Sequence, residues 1–264
     1  MKLKIEKTNV INDVSTWFRF AEPEGGAAQW KAGRSAMEFA RYMTTAKPGQ
    51  MPDEIEQYLN GIGFNVCQFI CYPEEVTSFD GYNLGKGSGR HHDGLLVSDN
   101  CLVGIEAKVS ESFDKSISKK IEGAKSNSDD GENMRDRIVN SLKLIKPDFD
   151  KVSLSDEKIG SLMYQLVSGT VGTIIEADKR NISKASFLII EFVGDVERET
   201  NYKSKVEDNQ KAYDNFLEFL GLSGKEDSER YLNINLKDKT IQIWFAKIQI
   251  SITRDFYKYK KTQQ

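Results

Sequence analysis

The sequence predicts an α/β protein with a mixed central sheet flanked by helices and a hairpin added near its C-terminal end. Three observations carry that prediction. Ile159, Leu162, Met163, Leu166, Val167, Thr170 and Ile174 recur at helical spacing. Phe187 to Val193 is a nearly continuous apolar run, of the kind found in strands buried on both faces. Two short strand-like runs flank Ser98-Asp99-Asn100, which suits a tight turn between antiparallel neighbours. Helical and strand-like segments therefore alternate, as an α/β class requires.

With 264 residues, 39% apolar and 29% charged, the chain can bury a sizeable core as one domain over residues 1–264, with its central part at about 52–193. Met1 to Lys7 alternates charge with aliphatics and holds no apolar run long enough for a signal peptide or a membrane span, so the expected location is the cytoplasm. Cys67, Cys71 and Cys101 form no CxxC pair and read as buried thiols. A net charge of −3 gives no global positive field for a nucleic acid, although 37 Lys and Arg can cluster locally.

Along the chain, Ser35-Ala36-Met37-Glu38 has capping-box spacing and predicts a helix through Met43. After the turn Lys47-Pro48-Gly49, a helix from Pro52 would place Ile55, Leu59 and Ile62 on one face before Gly61 and Gly63 stop it. Val66 to Cys71 reads as a strand ended by Pro73. A glycine-rich loop, Gly85 to Gly89, leads into the strand Gly94–Val97, and Leu102–Lys108 forms the next one. The Ser-, Asn- and Asp-rich stretch from Glu122 to Asp136 predicts a loop, followed by a helix through Ile138, Leu142 and Ile145. One long helix is expected from Lys158 to Ala177, another through Tyr213, Phe216, Leu217 and Leu220, and a hairpin around Lys237-Asp238-Lys239.

The chemistry is concentrated in the central hairpin. Glu106 and Lys108 stand two apart on a strand and so share a face, and pairing across the turn can bring Asp93 beside Glu106. Two neighbouring carboxylates call for a cation between them, and hard oxygen ligands suit Mg²⁺, or Mn²⁺ as its substitute. Such an ion, with Lys108 to orient or deprotonate a water, fits phosphodiester hydrolysis. The histidine pair His91 and His92 precedes Asp93, but adjacent strand residues point to opposite faces and do not readily share a metal.

Asp93 opening one strand and Glu106-Ala107-Lys108 on the next resemble the PD-(D/E)XK nuclease motif, with His92 standing where that motif has proline. The matching order of elements covers roughly Pro52 to Val193, and Trp30 to Ala36, Gly104 to Val109 and Tyr164-Gln165-Leu166 resemble a little-characterised bacterial family of that superfamily. The resemblance implies a restriction-endonuclease-like fold in which Asp93 and Glu106 bind the metal and Lys108 assists attack. It also implies a helical glutamine, matched by Gln165, and a helical glutamate, for which Glu38 is preferred over Glu54. Arg34 and Arg90 are the expected phosphate contacts, with Lys86 in the loop. The expected partner is nucleic acid, DNA in the first instance, with no membrane; a homodimer stays open. The rival expectations are a catalytically idle nuclease-fold module that binds nucleic acid or a protein, and a phosphoesterase acting on small nucleotides. Ser161, Ser168, Gly169 and Gly172 form a small-residue stripe beside Gln165, where a ligand backbone could approach closely.

Overall fold

The computed structural model describes residues 1–7, 9–45, 49–64, 66–85, 89–109, 111–125, 131–149, 154, 156–194 and 202–252. Lys86 and the turn at Lys47-Pro48, like residues 126–130 of the Glu122–Asp136 stretch, lie outside the described residues. The elements in chain order are β1 (Lys2–Ile5), α1 (Val14–Phe20), α2 (Ser35–Thr45), α3 (Asp53–Gly61), β2 (Gln68–Thr77), β3 (Arg90–Val97), β4 (Cys101–Lys108), α4 (Ile117–Ala124), α5 (Glu132–Ile145), α6 (Glu157–Ser161), α7 (Tyr164–Lys179), β5 (Lys184–Gly194), α8 (Tyr202–Leu220), β6 (Tyr231–Asn235) and β7 (Thr240–Ile252).

Among the described residues the strands join in one seven-stranded mixed sheet of order β1-β2-β3-β4-β5-β7-β6. β4, β5 and β7 run parallel, and β3 is antiparallel to both β2 and β4. Alternate residues of the buried strands feed two apolar layers. Val103, Ile105, Leu188 and Ile190 pack with Trp17, Phe39, Ile55 and Leu59 from α1 to α3. On the other face Leu95, Leu102, Phe187 and Ile189 meet Ile138, Leu142, Leu166, Val171 and Ile174 from α5 and α7. The hairpin near the C-terminus extends this sheet, because β7 pairs along its length with β5.

Local chemistry explains most boundaries. α3 opens with Asp53, Glu54 and Glu56, whose charges suit the positive end of the helix dipole. It is followed by Gly63, whose φ of 77° turns the chain so that Phe64 N–H reaches the Leu59 carbonyl and Gly63 N–H the Asn60 carbonyl. The turn Ser98–Asn100 closes the β3–β4 hairpin, with Ser98 N–H donating to the Cys101 carbonyl.

Four local expectations are corrected. β2 runs on through Pro73 to Thr77. The carbonyls of Cys67 and Cys71 face β1, and by the same alternation so do the polar groups of Pro73, whose carbonyl accepts from Lys7 Nζ; β1 pairing has ended by then, so the missing N–H falls outside that ladder. The long helix is two helices, α6 and α7. Ile117 N–H takes the Leu162 carbonyl and Tyr164 N–H takes the Lys115 carbonyl, so pairing with the chain before α4 breaks the helix at Leu162-Met163. Glu38 reaches back to Gly33 N–H while Ser35 N–H goes to Glu111, so the reciprocal bond of the expected capping box is displaced. Cys67 is exposed; only Cys71 and Cys101 are buried. Lys2–Ile5, for which the sequence predicts no element, is an edge strand. Among the described residues, no helix is long and apolar enough to cross a membrane.

Candidate active site

The site forms where two strand ladders lapse together. β3 and β4 pair from Val97↔Leu102 to Gly94↔Ile105 and no further. One step on, Asp93 stands across from Glu106, and its Oδ2 accepts Ala107 N–H at 2.6 Å in place of a strand carbonyl. On the other side of β3, the β2 ladder skips a pair between Pro73↔Gly94 and Glu75↔His92, and the residue left facing Asp93 is Glu74. Glu74 has a left-handed φ of 49°, a conformation that costs a non-glycine residue about 1–3 kcal/mol and has to be imposed by its surroundings. Lys7 Nζ supplies one tether, binding the carbonyls of Pro73 and Glu74.

Strand alternation slips at the same point. A Cβ on Gly94 would lie 2.8 Å from the Phe39 ring of α2, yet His92, two residues earlier, faces α7 on the opposite layer, 3.0 Å from a Cβ built on Gly172. The slip frees Asp93 from either apolar layer and leaves its carboxyl beside the main chain of β4.

Glu106 and Lys108 do share a face, and both are buried. Lys108 Nζ lies 2.7 Å from Glu106 Oε1 and 5.7 Å above the centre of the Phe113 ring. Arg90 Nη2 binds the other oxygen, Oε2. Burial, then the charge of Glu106, pushes the Asp93 carboxyl up to about 7, and burial, then Asp93, pushes Glu74 up to about 8. Burial alone would lower Lys108, but the charges of Glu106 and Asp93 outweigh it and hold the ammonium above its usual value. Glu111 is held low against its burial by the N–H groups of Ser35 and Val109 and by Lys108.

Asp93, Glu106, Lys108 and Arg90 are thus brought together, whereas the other sequence-predicted residues sit on flanking elements. Gln165 Oε1 accepts Asp114 N–H at 3.2 Å and so secures the chain that leaves β4. Glu38 binds Gly33 N–H and Arg41, and Glu54 accepts from the Tyr42 hydroxyl at 2.9 Å, so both acids are bonded within the α2–α3 side of the molecule. Arg34 is half-buried and its carbonyl receives Glu38 N–H at the start of α2. Arg90, expected as a phosphate contact, is committed to Glu106. The stripe expected to admit a ligand is filled by the protein itself: Gly169 faces the Phe187 ring and Gly172 faces Arg90 and His92. Ser161 lies outside α7 altogether, at the end of α6.

His92 belongs to the core. It is wholly buried, and burial, then Arg90, holds its imidazole well below the usual value. Its Nε2 lies 3.2 Å from Thr77 Oγ1, whose hydroxyl donates to Glu176 Oε2 at 3.0 Å, so Nε2 carries the proton. Sequence reasoning missed Glu74 because it ended β2 at Pro73. It also missed Glu191, although a lone carboxylate inside an apolar strand is itself a signal.

Gly172 offers a check on the packing of Arg90. Its Cβ position is 2.6 Å from Arg90 Cγ and 2.7 Å from Arg90 Cβ, atoms too near the backbone to move aside. Gly172→Ala is expected to destabilise by about 1–3 kcal/mol, read as a lower urea midpoint with unchanged slope. A wild-type midpoint would mean that Arg90 is not held against α7.

A family model matches residues 10–250. The chain belongs to the DUF6946 family, a domain of unknown function. The matched span takes in every strand of the sheet except β1 and the last two residues of β7, together with the whole Asp93–Glu106–Lys108 centre. No curated protein and no solved structure matches the chain.

Proposed function

We propose that this DUF6946 chain is a Mg²⁺-dependent nuclease of restriction-endonuclease-like fold that hydrolyses nucleic-acid phosphodiester bonds, with DNA as the substrate. The observation that carries the reading is the convergence of Asp93, Glu106 and Lys108 at the point where β3 and β4 part. Glu106 is buried, and Asp93, half-buried beside it, is pushed up to about 7 by burial and then by the Glu106 charge, so the pair resists carrying two negative charges without a further cation. Among the described residues no three His, Cys, Asp or Glu side chains are placed to hold one ion. A two-carboxylate set still fits Mg²⁺, which keeps several waters and takes the rest of its shell from substrate phosphate. Asp93 and Glu106 would hold it.

Once bound, the ion supplies the positive charge that offsets both carboxylates and the charge growing on an attacked phosphate. Arg90, which rests on Glu106 Oε2, carries a guanidinium suited to bidentate contact with the phosphodiester. Lys108 stays on the same face, held over Phe113, where its ammonium can orient the attacking water and stabilise the developing oxyanion. Asp93 keeps its bond to Ala107 N–H, so its carboxylate stays aimed without a loop having to move. The three free thiols suit a reducing compartment, and the cytoplasm is the proposed location.

One observation favours a second reading. Both oxygens of Glu106 already have cationic partners, so the cluster is also self-consistent as an ion-pair network in an idle module that binds nucleic acid or a protein. Calorimetric titration with Mn²⁺, beside cleavage of plasmid, single-stranded oligonucleotide and mononucleotide substrates, separates the two. The nuclease reading expects Mn²⁺ binding that disappears in Glu106→Gln and cleavage of the polymers. Absent binding and absent cleavage would leave the idle module, and turnover of mononucleotides alone would point to a small-molecule phosphoesterase.

A further inference from the structure

The face of the sheet that carries Glu106 and Lys108 continues across β5 and β7 as a row of polar groups, from buried Lys108 and Glu191 to exposed Gln249. Lys108 pairs in register with Glu191, and Glu191 with Gln249. Neighbours in register on parallel strands present their side chains to the same face, about 4.8 Å apart. Glu191 is wholly buried, so its charge must be satisfied within the protein. Lys247 Nζ lies 2.7 Å from Oε2, Gln249 Nε2 donates to that oxygen at 3.0 Å, and Asn209 Nδ2 donates to Oε1 at 3.0 Å.

Asn209 does more than complete Glu191. It is buried in α8, donates from Nδ2 to the Glu111 carbonyl at 3.0 Å, and accepts Phe113 N–H at Oδ1 at 3.3 Å. One amide therefore joins β5 to the segment that leaves β4. That segment carries the Phe113 ring beneath the Lys108 ammonium, and Glu111, whose carboxylate takes Val109 N–H.

We propose that Lys247 and Asn209 are positioning residues for Lys108. Lys247 neutralises Glu191, so that the carboxylate next in register to Lys108 does not compete with Glu106 for its ammonium. Asn209 fixes the Glu111–Phe113 strap that floors the same ammonium. The geometry follows from charge segregation: a buried carboxylate stripped of its cation is costly, and the cation beside it on the adjoining strand is Lys108. Both positioning residues come from α8 and β7, elements that follow the Pro52–Val193 span in the chain. The consequence for cleavage rests on the nuclease reading; the consequence for the ammonium does not.

The test is carried out on the full chain labelled with ¹³C-lysine, the Lys108 ε-methylene signal being assigned by its loss in Lys108→Arg. In wild type, Glu106→Gln is expected to move this signal and Glu191→Gln to leave it in place. Lys247→Met should move it, and Glu191→Gln combined with Lys247→Met should return it. In parallel, Lys247→Met should lower kcat by about tenfold or more with KM little changed, and the double variant should recover. A merely structural pair would give no such rescue. Asn209→Ala, which leaves the Glu191–Lys247 pair intact, is the second variant, expected to move the Lys108 signal and lower kcat. An unmoved signal in Lys247→Met, or none restored in the double variant, overturns the role of Lys247. If Lys247→Met does not fold, the charge-neutral double variant decides, its wild-type signal being required. An unmoved signal in Asn209→Ala overturns the strap. The expected shifts in a protein that cleaves nothing would sink the nuclease reading alone.

Discussion

Glu106→Gln is expected to lower Mg²⁺-dependent cleavage by about 10³-fold or more while leaving the protein folded, because the amide keeps the shape of the side chain and loses the charge that an ion and Lys108 both need. Glu106→Ala should behave differently. Glu106 is buried between Lys108 and Arg90, which are themselves 8% and 11% exposed; both substitutions remove its charge, but the glutamine oxygen still accepts from these cations, whereas alanine removes that acceptor too and leaves a cavity. Breaking a buried pair in this way costs about 3–5 kcal/mol, which for a chain of this size means a Tm lower by roughly 6–20 °C. The two variants separate chemistry from stability: both should be inactive, and Glu106→Ala should melt earlier than Glu106→Gln. Cleavage by Glu106→Gln at the wild-type rate would remove Glu106 from the mechanism. Wild-type Tm values for both variants would show that the Arg90–Glu106–Lys108 network does not hold the sheet together.

The heart of this site is legible in the sequence because it depends on local geometry. A period of two puts Glu106 and Lys108 on one face, and a short turn fixes the pairing that sets Asp93 against Glu106. What could not be read depends on contacts between distant segments. The slip at Asp93 exists only because β2 lapses at Glu74, and no pattern within either strand announces that agreement. The break between α6 and α7 comes from pairing with Lys115 to Ile117, against a helical periodicity that runs straight through it. Gly169 and Gly172 were rightly read as places of close approach, but small residues do not say who approaches, and Phe187 and Arg90 do. Glu191 reads as one residue of a buried apolar strand; in the fold its charge links two strands and a helix.

The second large effect concerns pH and stability. Asp93 is raised from 3.8 to about 7 and Glu74 from 4.5 to about 8, both by burial first and by a neighbouring carboxylate next. The folded protein therefore holds these protons more tightly than the unfolded chain does. The stabilisation is complete below the unfolded values and is lost as pH rises through the folded ones, so stability should fall from about pH 4 to pH 8. Each group contributes a slope of at most about 1.4 kcal/mol per pH unit across its own window. Denaturant unfolding at a series of pH values measures it. Asp93→Asn should flatten the profile below pH 7, and saturating Mg²⁺ should flatten that of the wild type, since an ion held by Asp93 and Glu106 favours the ionised carboxylates. Cleavage should follow the opposite course, with kcat/KM rising towards pH 7 as Asp93 ionises. Protein least stable where it is most active, and rescued there by the ion, is the behaviour of a centre built to be completed by a cation. Parallel profiles for wild type and Asp93→Asn, with no effect of Mg²⁺, would mean that Asp93 is not buried against Glu106 as described.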